Sequence, residues 1–246
     1  MTVLITGGTK GVGLAIAAHL AQPGNRIVLN YLKDADAAES ARSRLASLGA
    51  SVQTIQGDVG TVEGCRKIVA QLPQNEPGPL HIVHGAALIY PTTLLEADLE
   101  KFTRAIHTNG LSLLYLIHEA QRYLSRGSSI VFISGQGARI AITNTYGALG
   151  VGKAAAEALI KYLVLELAPR GIRINAVAPG LVHTGSVAAM LGNEEAAARL
   201  VERASKTNPS GRLARDEDYA SLVAYLLSPA ADYIQGQVVH VSGGAS

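Results

Sequence analysis

Tryptophan is absent from the 246 residues, phenylalanine occurs twice, and aromatics together make up 4%. A surface built to stack on bases needs more of them, which argues against nucleic-acid binding. Cys65 is the one cysteine, which excludes an internal disulfide framework and a thiolate metal cage and suits a reducing compartment. Charge of one sign is equally scarce. The 21 Lys+Arg stand against 19 Asp+Glu, a net +2, so no strong field draws the chain to nucleic acid or an acidic membrane. No apolar run reaches the ~18–20 residues that span a bilayer. Val3-Leu4-Ile5 opens an apolar strand pattern almost at once, leaving no room for a secretory leader, and a cytoplasmic location is expected.

What is plentiful is apolar surface, 48% of residues against 16% charged, enough to bury a large core. Glycine, at 26, suits close approach of backbone to backbone or to phosphate. Short Val- and Ile-rich runs alternate with longer helical patterns. Strands are predicted at Val3–Ile5, Arg26–Tyr31, Val52–Gln56, His81–His84, Ser129–Ile133, Arg173–Val177 and Gln237–Val241. Helices are predicted at Gly13–Ala21, Ala35–Leu48, Val62–Gln71, Leu99–Leu124, Gly152–Leu167, Glu194–Ser205 and Glu217–Leu227. This alternation implies an α/β fold, its parallel sheet covered on both faces, with ligands beyond the carboxyl ends of the strands. No linker or repeat divides residues 1–246, so one domain is expected. The stretch 185–211 breaks the rhythm at a strand's carboxyl end, where a substrate lid or a packing appendage would lie.

The first strand runs into Thr6-Gly7-Gly8-Thr9-Lys10-Gly11-Val12-Gly13, and then a helix begins. Glycines there allow a tight turn and close approach to a pyrophosphate at the helix N-terminus. Gly7, Thr9, Lys10, Gly11, Val12 and Gly13 are the candidate contacts. Choice of cofactor falls at the end of the second strand, where an acid would accept from a ribose 2′-hydroxyl. Asn30-Tyr31-Leu32-Lys33 supplies no acid before Asp34. Lys10 and Lys33 could instead pair with a 2′-phosphate, so NADP(H) is the expected cofactor, held also by Asn30 and Tyr31.

With these residues in view, the chain resembles the short-chain dehydrogenase/reductase family over essentially its full length. Asp58-Val59 looks like the family's adenine contact, and His84-Gly85-Ala86-Ala87 stands where the family usually has Asn-Asn-Ala-Gly. Asn109 matches its active-site Asn, which kinks a helix and holds a water. Ala178-Pro179-Gly180-Leu181-Val182-His183-Thr184 matches its Pro-Gly-x-x-x-Thr nicotinamide loop. The resemblance implies a single-domain Rossmann fold with a doubly wound, parallel seven-stranded sheet. It implies cofactor contacts at Asp58, Val59, His84, Gly85, Ala86, Lys153, Pro179, Gly180, Val182 and Thr184. It also implies a homodimer or homotetramer through two helices, and Leu111, Leu113, Leu114, Leu116 and Ile117 give the first of these a second apolar face.

The catalytic helix departs from the family's Tyr-x-x-x-Lys. Leu149 stands four before Lys153, and the nearest tyrosine, Tyr146, stands seven before it. Seven steps turn about 700° on a helix, about 20° short of two turns, so both side chains share a face. This is the spacing of enoyl-acyl-carrier-protein reductases, whose third type Asn144–Leu159 resembles. Carbonyl reducers usually show Ile-Ser-Ser before this helix; here it is Ile133-Ser134-Gly135, so the expected hydroxyl is missing unless Ser134 substitutes.

The catalytic candidates are thus Tyr146, Lys153, Asn109 and Ser134. Tyr146 would donate to the substrate oxygen, Lys153 would tune it and hold the nicotinamide ribose, and Asn109 would order a relay water. The leading expectation is an NADPH-dependent reductase of an unsaturated acyl thioester, a small-molecule substrate carried on an acyl carrier protein or coenzyme A. Two alternatives stay open: a ketone/alcohol oxidoreductase of a polyketide-like pathway, and a non-catalytic NADP-binding scaffold or sensor. His84, His107 and His183 lack metal-ligand spacing, so no metal is expected. Cys65 reads as structural, and Arg199, Arg203 and Lys206 as a solvated helix face.

Overall fold

The computed structural model describes residues 1–74, 78–143, 145–182 and 185–245. Its strands are β1 (Thr2–Thr6), β2 (Arg26–Tyr31), β3 (Ser51–Gln56), β4 (Leu80–His84), β5 (Ser129–Ile133), β6 (Arg173–Pro179) and β7 (Val238–Val241). They form one parallel sheet in the order β3-β2-β1-β4-β5-β6-β7. Every residue of β1, β4, β5 and β6 is buried, as strands covered on both faces require. The pleat sorts them between two cores. Leu4, Val28, Ile82 and Ile130 pack with α3 (Val62–Ala70), α5 (Ser112–Ala120) and α6 (Gly147–Leu167). Val3, Ile5, Ile27, Leu29 and Val83 pack with α1 (Gly11–Leu20), α2 (Ala35–Ser47) and α9 (Asp216–Leu227). This is the doubly wound seven-stranded Rossmann fold. Strand order reverses between β1 and β4, where Thr6 lies opposite His84, and a crevice opens beyond their carboxyl ends.

Three elements differ from expectation. The long helix predicted over Leu99–Leu124 is α4 (Leu99–Ile106) and α5, joined by a π-helical turn, His107–Leu111. The break is a single turn whose backbone stays helical, too short for periodicity to end the helix there. Second, α6 begins at Gly147, five residues earlier than expected. Gly147, Gly150 and Gly152 disfavour helix intrinsically, yet each sits where another group comes close. A Cβ on Gly150 would stand 2.5 Å from the Gly137 carbonyl oxygen, and one on Gly152 would stand 2.6 Å from Asn109 Cβ. Third, the 185–211 stretch holds two helices, α7 (Gly185–Leu191) and α8 (Glu194–Thr207), where one was expected. On α8, Arg199 pairs with Glu195 and Lys206 with Glu202, one turn apart on an exposed face.

Candidate active site

The phosphate loop owes its shape to glycine. Gly7 (φ +63°) and Gly11 (φ +50°) adopt left-handed backbone, and a Cβ on Gly7 would come within 2.9 Å of Ala86 Cα. A side chain on Gly13 would run into the Gly7 carbonyl. Side chains of Asp34, Thr61, Asp98 and Asn193 cap α2, α3, α4 and α8, but none caps α1. Its first N–H groups are left to an anion at the positive end of the helix, so the loop fits a dinucleotide pyrophosphate. Thr9 is buried, Val12 is half-buried, and Lys10 is exposed and paired with Asp34.

The side chains of several expected cofactor contacts already have partners within the protein. Asn30 is 2% exposed, and its amide donates to the carbonyls of Tyr31, Ile55 and Gly57, bracing the ends of β2 and β3. That correction leaves half-buried Tyr31 and exposed Lys33 on the rim. Asp58 accepts from Gly60 N–H at 2.9 Å and from Arg104 at 2.7 Å, while the Val59 side chain belongs to the core.

His84 is also corrected. It is fully buried, and both ring nitrogens are bound within the protein. Ser112 Oγ donates to the Thr108 carbonyl, so it must accept from His84 Nε2–H at 2.7 Å. Nδ1 is then left to accept from the Thr6 hydroxyl at 2.8 Å. Thr6 Oγ in turn accepts from Gly85 N–H and Ala86 N–H. Burial, with Lys153 nearby, pushes His84 down to about 3, so the ring is neutral and serves as a strut. It ties the phosphate loop to the π turn.

The catalytic candidates gather at the carboxyl ends of β4 and β5. Tyr146 is the N-cap of α6 in helical conformation, and Gly150 N–H donates to its carbonyl at 2.9 Å, so the helix is regular from its first turn. Its ring lies against Gly137, and burial raises its phenol above the ordinary value. Lys153 is 6% exposed, donates to the Ile133 carbonyl at 2.7 Å and sits 4.5 Å from the Phe132 ring centroid. Burial pushes its ammonium down to about 7, against the attraction of Glu157. Asn109 lies in the π turn; its amide accepts from Leu88 N–H at 2.8 Å and donates to the Leu88 carbonyl at 2.9 Å. Its side chain therefore holds a loop.

Ser134 does not replace the missing serine. It is 7% exposed and its hydroxyl donates to Glu157 at 2.5 Å, so it faces α6. A Cβ on Gly135 would meet nothing within 4 Å, so the place of the usual hydroxyl is open space. Pro179 ends β6, Gly180 N–H donates to the Val241 carbonyl, and Val182 packs against the α1 side of the core. His183 and Thr184 lie outside the described residues.

Residues 7–246 match the family described as Enoyl-(Acyl carrier protein) reductase. The chain belongs to the short-chain dehydrogenase/reductase family. It is 32% identical to NADPH-dependent aldehyde reductase 2, chloroplastic, of Arabidopsis thaliana, over 98% of this chain and 92% of that protein. It is 30% identical to 1-cyclohexenylcarbonyl-CoA reductase of Streptomyces collinus, over 99% and 86%. The solved enoyl-[acyl-carrier-protein] reductase (NADH) of Aquifex aeolicus VF5 superposes with a TM-score of 0.85 at 27% identity, over 99% of this chain and 95% of that one. This short-chain dehydrogenase/reductase is an NAD(P)-dependent oxidoreductase.

Sequence reasoning missed Thr6, Ser112, Arg104 and Glu157. Only Glu157 left a signal, four residues after Lys153 on the same helical face. Burial pushes Cys65 up to about 12, in keeping with a structural thiol. Among the described residues no cluster of His, Cys, Asp and Glu could hold a metal ion, and no helix is long and apolar enough to cross a membrane.

Proposed function

We propose that this oxidoreductase is an NADPH-dependent enoyl-thioester reductase acting on an acyl group carried by coenzyme A or an acyl carrier protein. The observation that carries this reading is Tyr146 at the head of a regular α6, two turns before Lys153, with Leu149 at the position four before the lysine. Open space at Gly135 supports it, because a carbonyl reducer would place a second hydroxyl there. The names of the Streptomyces and Aquifex proteins agree with reduction of an acyl thioester, while the Aquifex name gives NADH as that protein's cofactor.

Bound NADPH would supply the hydride, delivered to the β-carbon of a conjugated C=C–C=O. Negative charge then builds on the thioester oxygen, and Tyr146 meets it with a hydrogen bond from its phenol. Lys153 would hold the nicotinamide ribose hydroxyls and would supply positive charge to the site. Asn109 keeps the π turn locked to Leu88, and so keeps α6 in its place against that turn. NADPH oxidation with crotonyl-type thioesters, and none with ketones, is the expected result. The name of the Arabidopsis relative favours a second reading, reduction of an aldehyde or ketone, and turnover of carbonyl substrates alone would establish it. Turnover of neither class would leave a nucleotide-binding scaffold.

Preference for NADPH rests on Lys10 and Lys33 with no acid before Asp34. Asp34 competes for Lys10 and caps α2 by accepting from Ala37 N–H. Asp34→Asn keeps the cap, since Asn serves equally there, and frees the lysine. An exposed pair of this kind contributes ~0.2–1 kcal/mol, so KM for NADPH should fall by up to about fivefold while KM for NADH stays put. Steady-state kinetics with both cofactors checks this.

The proposed assembly is a homodimer or homotetramer through α5 and α6, whose outer faces expose Leu114, Val151, Tyr162 and Leu165. Light scattering should report a particle of at least twice the 25.6 kDa chain. The segment bearing α7 and α8 is proposed as the substrate lid, being an insertion after β6 at the cofactor end of the sheet.

A further inference from the structure

The carboxyl end of β5 grips α6 through two adjacent residues and two opposite charges. The Ile133 carbonyl accepts from the Lys153 ammonium at 2.7 Å, and the Ser134 hydroxyl donates to Glu157 Oε1 at 2.5 Å. Ser134 is itself fixed, because its N–H donates to the Val177 carbonyl at 2.8 Å. Lys153 and Glu157 are one turn apart on the same helix, where i and i+4 side chains are neighbours. The lysine is 6% exposed and leans on the Phe132 ring, with one acceptor among the described residues for its three N–H donors. A buried ammonium so placed favours losing its proton unless a counter-charge stands close.

The charged and titratable groups around Lys153 are few. On α6 they are Tyr146, neutral, and Glu157. From β4 comes His84, neutral and bound at both nitrogens. The π turn brings His107, whose ring packs edge-on to Tyr115. On α4, Arg104 is turned to Asp58. Residues Ser129–Ile133 of β5 carry no charge. On α6 Glu157 is the one acid within a turn of the lysine, its carboxylate fixed by Ser134, and its charge opposes the effect of burial.

We infer that Glu157 is a positioning residue for Lys153: tethered by the Ser134 hydroxyl, it supplies the counter-charge that keeps the lysine cationic at the edge of the site. This rests on the proposed role of Lys153 but is tested apart from it. Ser134, expected as a substrate-binding hydroxyl, acts here as the tether.

The experiment is an NMR titration of the full chain labelled with [13Cε]-lysine, with the Lys153 resonance assigned by its loss in Lys153→Met. Glu157→Gln keeps an oxygen for Ser134 and removes only the charge. Its Lys153 midpoint should drop by about one pH unit, and Ser134→Ala should move it the same way by less. The high-pH fall of kcat/KM should follow the midpoint in the same direction, while the melting temperature of Glu157→Gln stays within about 2 °C of wild type. A Lys153 midpoint unmoved in Glu157→Gln overturns the inference, whatever happens to the rate. A midpoint that moves while the rate profile does not sustains it, and instead removes Lys153 from the proposed chemistry.

Discussion

Tyr146→Phe is expected to lower kcat for an enoyl thioester by about 10²–10⁴-fold, the usual worth of a positioned proton donor. That corresponds to roughly 3–5.5 kcal/mol of transition-state stabilisation at ~1.36 kcal/mol per tenfold. The ring packs against Gly137 through its carbons, so phenylalanine preserves the packing and deletes only the O–H. Burial alone raises the phenol in the ligand-free chain, so near neutrality it carries its proton, the form a donor needs. Affinity for NADPH, read by fluorescence titration, should stay within about twofold. Undiminished turnover in Tyr146→Phe would remove the residue from this role.

Gly152→Ala should cost both stability and rate. The added Cβ would lie 2.6 Å from Asn109 Cβ, and Asn109 cannot retreat easily because its amide is bound at both ends to Leu88. The opposite approach is as tight, since a Cβ on Gly110 would stand 2.5 Å from the Gly152 carbonyl oxygen. Overpacking of this kind costs ~1–3 kcal/mol, and a helical Gly→Ala exchange returns up to ~1 kcal/mol of it. At ~2–4 °C per kcal/mol for a chain of this size, melting should fall by up to roughly 8 °C. Lys153 is the next residue, so the displaced helix should also lose about tenfold or more in kcat. Gly135→Ala is the control for melting. Its φ of −174° is extended backbone open to any residue, its Cβ would meet nothing, and calorimetry should find no loss.

Strand positions were legible because a strand buried on both faces leaves an unbroken apolar run, as Val3-Leu4-Ile5 in β1 and Ile130-Val131-Phe132-Ile133 in β5 do. The phosphate loop was legible because its glycines carry a backbone requirement. Breaks within helices were not. The π turn at His107–Leu111 is too short for periodicity to end the helix there, although the resemblance placed a kink at Asn109 within it, and the glycines heading α6 oppose helix locally while tertiary contacts impose it. Side-chain direction was the larger blind spot. Asn30, His84 and Ser134 have the right chemistry and stand near the right strand ends. Whether each faced a ligand or the protein depended on Gly57, Ser112 and Glu157, which lie 23 to 28 residues away in the chain.

The Thr6–His84–Ser112 strut has a consequence for how such a protein can be cut and rejoined. Every proton in it is committed to one direction, from the threonine to the imidazole and from the imidazole to the serine. A chimaera that took β1 from one parent and β4 with its following helix from another would keep the strut only where the incoming β1 ends in a side chain able to donate to the imidazole. In this chain the two nucleotide-binding halves are keyed to each other and are not interchangeable parts.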